Sequence, residues 1–96
     1  MVRIDVKNIR YIEGMSEYVR ICIEGEDKPV ITLASLQKME ERLPTYFMRV
    51  HRSYIVNINS VDSFIGNMLF IGNCRIPISK SHKNEVLERL NLIGEV

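Results

Sequence analysis

Tryptophan is absent from this 96-residue chain, cysteine occurs twice, and proline and glycine only three and five times. So little proline and glycine excludes a collagen-like or low-complexity chain. The glycines stand singly, with no glycine-rich loop of the kind that cradles a nucleotide phosphate. Long apolar runs are missing too: the longest are segments such as Tyr54–Val56 and Met68–Ile71, whereas a membrane-spanning helix needs ~20 apolar residues. The first residues, MVRIDVKN, lack the apolar core of a signal peptide, so a cytoplasmic location is expected. Cys22 and Cys74 lie far apart, each in an apolar-rich segment, with no CxxC or paired His/Cys spacing. No metal is therefore expected, and in a reducing compartment the two read as small buried hydrophobes rather than a disulfide.

Catalytic constellations are lacking as well. His51 and Ser53 stand two apart, which invites a nucleophile and base, but the nearest acidic residues are Glu41 and Asp62, too distant in sequence to mark a triad. The adjacent Glu40 and Glu41 fall on a short helix and read as a solvated face. No enzyme, cofactor or small-molecule substrate is expected.

What is present is an uneven distribution of charge. The formal net charge of +1 conceals a basic middle: between Arg42 and Lys83 stand Arg42, Arg49, Arg52, Arg75, Lys80 and Lys83 against Asp62 alone, with His51 and His82 besides. Such a stretch suits a polyanion and equally suits a solvated surface.

The chain length fits a single domain, residues 1–96. Strand alternation is visible at Val2–Val6, Ile9–Glu13 and Tyr18–Ile23, where Val19, Ile21 and Ile23 share one face and Tyr18, Arg20 and Cys22 the other. Gly14–Ser16 reads as a loop and Gly25–Pro29 as a hairpin turn into Val30–Leu33. Leu36, Met39 and Leu43 form one apolar stripe, so Ser35–Leu43 is a helix ended by Pro44. Strands resume at Phe47–Val50, Tyr54–Ile58, Val61–Phe64, Met68–Ile71 and Cys74–Ile78, with turns at Gly66-Asn67 and Gly72-Asn73. Lys80–Leu92 favours a second helix, capped by Ser79 or Ser81. The expected fold is mainly β: about ten short strands in small antiparallel sheets, with one short central helix and a C-terminal helix.

Two clusters carry donors. His51-Arg52-Ser53 lies between apolar Val50 and Tyr54, and would project together from a bend. Arginine matches the O6 and N7 acceptors of guanine, while serine and histidine suit phosphate oxygens. Ser79-Lys80-Ser81-His82-Lys83 stands where a strand ends and a helix begins, a place that offers free backbone donors to an anion. Met15-Ser16-Glu17-Tyr18 adds hydrogen-bonding groups without positive charge. Each cluster also has a plainer account: Ser79 and Ser81 as helix caps, His51 as a structural histidine, Arg49 as the partner of an acidic neighbour. A helix-turn-helix is excluded, because the whole run of strands separates the two helices.

At this point a resemblance enters. IRYIEGMSEYVRI (Ile9–Ile21), TLASLQKMEERLP (Thr32–Pro44), FMRVHRSYIVN (Phe47–Asn57) and RIPISKSHKNEV (Arg75–Val86) stand in the order and spacing of the LytTR domain, the DNA-binding output domain of many bacterial response regulators. The chain resembles that family over nearly its whole length, most specifically in the Arg-x-His-x-Ser run with its flanking phenylalanine and closing asparagine. The resemblance implies transcription regulation by loops inserted into successive major grooves of double-stranded DNA. It places base reading at Tyr18 in the first loop, Arg52 after the histidine and Lys80 near the last helix. Phosphate contacts are implied for Ser16, Arg49, His51, Ser53, Ser79, Ser81 and Lys83. Glu17 departs from a phosphate-binding loop and suits an acceptor from cytosine instead. The resemblance also implies paired promoter sites, a homodimer in the full-length protein, and a C-terminal position in a longer regulator. The alternative from the residues alone is a protein-interaction module with a basic face and no nucleic acid. Within FMRVHRSYIVN, Phe47, Val50, Tyr54 and Val56 read as core, and Asn57 as the residue that fixes a strand end.

Overall fold

The computed structural model describes residues 3–94, with side chains to residue 90. Among these described residues eight strands form two antiparallel sheets with two α-helices. The mainly β fold of the sequence reading holds, with eight strands rather than about ten. The larger sheet contains β1 (Ile9–Met15), β2 (Tyr18–Ile23), β3 (Val30–Leu33), β4 (Phe47–His51) and β5 (Tyr54–Asn57), in the order β3-β2-β1-β5-β4. The smaller sheet is the meander β6 (Ser63–Ile65), β7 (Met68–Ile71) and β8 (Cys74–Pro77).

Two expectations fail locally. The expected strand at Val2–Val6 is absent over the described residues: Val6–Asn8 is a 3-10 turn whose Lys7 amide donates to the Asp5 carboxylate, and Val2 lies outside the described residues. The side chain of Asp5 competes there with strand pairing. Gly14 and Met15 are strand rather than loop, since Gly14 pairs with Val19 and Met15 with Tyr18. The turn is thus reduced to Ser16-Glu17. Ser16 holds a φ of 61°, as Gly66 and Gly72 hold positive φ in the two hairpins of the smaller sheet. A positive φ at the first turn residue matches the twist of a two-residue hairpin, which is why glycine serves at the other two.

The larger sheet is covered on both faces around β1, β5 and β4, while the edge strand β3 is largely exposed. Ile12, Val19, Ile21, Phe47 and Ile55 pack under α1 (Leu36–Arg42), where Leu36, Met39 and Leu43 supply the helical stripe. Ser35 caps α1 by accepting from the Lys38 amide at 3.2 Å. On the opposite face Met48, Val50 and Val56 meet Leu69, Ile71 and Ile76 of the smaller sheet and Val86 of α2 (Lys80–Gly94). Alternation alone puts Ile9 and Ile12 on opposite faces. They share the α1 core because Arg10 is one residue too many against β2, a bulge that restores the face. A second bulge bears on the site. Arg49 pairs with Ile55 but His51 with Tyr54, so Val50 is the extra residue of β4. Arg49 stays on the α1 face and His51 moves across to Tyr54.

Candidate nucleic-acid interface

The bend between β4 and β5 is held from the protein side at nearly every backbone polar group. Arg49 donates from Nε to the His51 carbonyl at 2.9 Å and from Nη2 to the Arg52 carbonyl at 2.7 Å. The Gly14 amide donates to the Ser53 carbonyl at 2.8 Å. The Ser53 amide donates to His51 Nδ1 at 3.1 Å. This last bond makes Nδ1 an acceptor, so in the neutral ring the proton sits on Nε2. Burial, then the charges of Arg52, His82 and Arg49, hold the His51 pKa below its usual value. The His51 ring stands edge-on to Tyr54, centroids 5.7 Å apart. The Tyr54 hydroxyl in turn donates to Glu13 at 3.1 Å, its own pKa raised by burial and by that carboxylate.

The donor-bearing loops meet at this bend. The Gly14 bond ties it to the β1–β2 turn. The Ser79 amide, donating to the Val50 carbonyl at 3.0 Å, ties it to the start of α2. Ser16, Tyr18, Arg49, Arg52 and Ser53 line one open groove of about 300 Å³ beside the beginning of α1. Ser16 and Arg52 are exposed, and Tyr18 retains 47% of its surface. Ser53 and His51 are half-buried, as are Ser79 and Lys83, while Lys80 and Ser81 are exposed. Ser79 Oγ lies 3.2 Å from Ser81 Oγ and 2.5 Å from His82 Nδ1, so these side chains satisfy one another at the helix start. Among the described residues none of the ion pairs involves Arg52, Lys80 or Lys83.

The sequence misses two supports. Glu40, read as a solvated face, pairs with Arg49 Nη1 at 3.0 Å. Gly14, read as loop, brings β1 against α1 so closely that a Cβ there lies 2.7 Å from Leu36 Cδ1. A single glycine in a strand pattern signals such an approach. The cysteines are only half-buried and free, and the Tyr11 hydroxyl donates to Cys74 Sγ at 3.3 Å. Asn57 meets its expectation: it donates to the Ile9 carbonyl and accepts from the Asn59 amide, both at 2.9 Å.

The model of the LytTr DNA-binding domain family matches residues 1–91. The chain is a LytTR DNA-binding domain. A solved chain described as a LytTr DNA-binding domain from Bacillus cereus superposes with a TM-score of 0.82 at 26% identity, covering 93% of this chain and 86% of that one. The sensory transduction proteins LytT of Bacillus cereus and Bacillus anthracis are each 25% identical over 99 aligned positions. The alignment takes in 96% of this chain and 39% of each relative, so this LytTR domain spans well under half of their length. No helix among its described residues is long and apolar enough to cross a membrane.

Proposed function

We propose that this LytTR domain binds double-stranded DNA with sequence specificity and controls transcription as the C-terminal, cytoplasmic output part of a two-component response regulator. The β1–β2 turn, the β4–β5 bend and the start of α2 enter successive major grooves. Tyr18, Arg52 and Lys80 contact base edges. Ser16, His51, Ser53, Ser79, Ser81 and Lys83 hold register on phosphates, with His51 donating from Nε2.

The observation that carries this reading is the joining of the three loops through the Gly14–Ser53 and Ser79–Val50 backbone bonds. Arg52, Lys80 and Lys83 stand there outside every ion pair of the described residues. Unpaired cations on a pre-formed surface suit a phosphate backbone, and an exposed arginine at the centre suits guanine. The LytT relatives, named sensory transduction proteins, support placement behind a signal-receiving part, and a homodimer of the full-length protein on paired sites is part of the same proposal.

Selection from random duplexes tests the reading. An enriched motif is expected, and a folded domain that returns none refutes sequence-specific reading. Arg52→Ala is expected to lose roughly 1–3 kcal/mol of discrimination at one base position, measured by competition between the motif and its single-base variants. Binding to an acidic protein but not to duplex, even at low salt, transfers the basic face to a protein partner.

A further inference from the structure

Arg49 is the one cation of the candidate interface whose three guanidinium nitrogens all have partners inside the protein. Nε and Nη2 bond the carbonyls of His51 and Arg52 at 2.9 and 2.7 Å, and Nη1 bonds Glu40 at 3.0 Å. The fork therefore spans two consecutive peptide groups of the bend, a task that needs a planar guanidinium rather than an ammonium point charge. The Arg49 side chain is 21% exposed and that of Glu40 47%. Glu40 comes from α1, an element that contributes no proposed DNA contact of its own. The bulge at Val50 separates the labour: Arg49 stays on the α1 face while His51 crosses to Tyr54.

We propose that Glu40 and Arg49 are positioning residues: their ion pair lets α1 hold the β4–β5 bend in one conformation, so that Arg52 is presented in a single orientation. This rests on the DNA reading above and revises one part of the expectation for Arg49, which becomes a clamp rather than a phosphate contact. A bidentate arginine–guanine contact depends on the angle of approach as well as on reach, so a bend free to turn forfeits discrimination while keeping its charge.

The test uses the domain with its selected duplex and an unrelated duplex of equal length. Arg49→Lys preserves charge and removes the fork. Glu40→Gln removes the ion pair and a negative charge near DNA. The ratio of specific to non-specific affinity is expected to fall about tenfold in each, within the loss set by a single bidentate base contact. In Glu40→Gln, affinity for the unrelated duplex should stay level or rise, because a repelling charge has gone. In the free proteins, amide exchange at Ser53 should quicken, since that bond depends on the bend.

If Arg49 contacts phosphate, Arg49→Lys keeps the ratio. If Glu40 acts by charge alone, Glu40→Gln raises both affinities together and keeps the ratio. Either result, or unchanged exchange at Ser53, overturns the clamp. Arg52→Ala is the reference: discrimination lost there and retained in both clamp variants removes this inference and leaves the DNA reading standing. Wild-type domain with no preferred duplex removes both. Should Arg49→Lys not fold, Glu40→Gln, a change on an exposed helix face, still decides.

Discussion

His51 does two things at once in the bend. Its Nδ1 accepts the Ser53 amide, and its protonation is opposed by burial and by the arginines and histidine around it. Because its pKa is lower folded than unfolded, the unfolded chain binds the proton first as pH falls. Stability is therefore full above the unfolded value of about 6.5 and is lost as pH drops from there through the lowered folded value, then levels. Denaturant titrations between pH 7.5 and roughly 5 should record this loss. His51→Asn keeps an acceptor near Nδ1 and removes the titration, so its profile should be flatter. A profile identical to the wild type assigns the effect to another group. The exposed Glu40–Arg49 pair adds little to stability, as such pairs contribute about 0–1 kcal/mol; its value lies in geometry.

At the level of elements, the interface depends on how closely β1 approaches α1. Gly14 is a strand residue whose amide holds the Ser53 carbonyl, and a methyl at its Cα meets Leu36 at both Cδ1 and Cγ, 2.7 and 2.9 Å away. Gly14→Ala is expected to destabilise the domain by roughly 1–3 kcal/mol through overpacking, read as a shift of the denaturation midpoint. Adding Leu36→Ala should recover part of the Gly14→Ala loss, because the two sites share one volume. Strictly additive losses argue that the contact is not the cause. The helix itself is short, begins at the Ser35 cap and depends on its apolar stripe, so α1 serves the bend only while it stays seated.

Across the whole molecule, Arg49, Arg52, Lys80 and Lys83 of the basic middle stand at the joined loops, where Glu40 partners Arg49 and Glu13 partners Tyr54, while Asp62 accepts from the Gly72 amide in the smaller sheet. A phosphate-binding lysine acts alike on every sequence. Lys83→Ala should weaken specific and non-specific duplexes equally and reduce the slope of log affinity against log salt by about 0.9, measured by titration over a range of salt. A selective loss on one sequence moves Lys83 to the base readers.

Ordering of the elements was legible in the residues because it rests on short-range chemistry. Turn glycines, the Ser35 cap, the Leu36–Met39–Leu43 stripe and strand alternation are local, and they placed both helices and eight of the nine stretches read as strands within a few residues. The Val2–Val6 alternation misled because Asp5 turns the backbone, and Gly14 because glycine marks both loops and close packing. The resemblance in FMRVHRSYIVN located the bend and its Arg52. What only the tertiary structure decided is which groups support that bend. Glu40 and Arg49 stand nine positions apart, and Gly14 and Ser53 are brought together only when β1 pairs with β5. A one-residue bulge sends Arg49 to one face and His51 to the other, and a register shift of that kind leaves no periodic trace in a sequence because it is set by the partner strand.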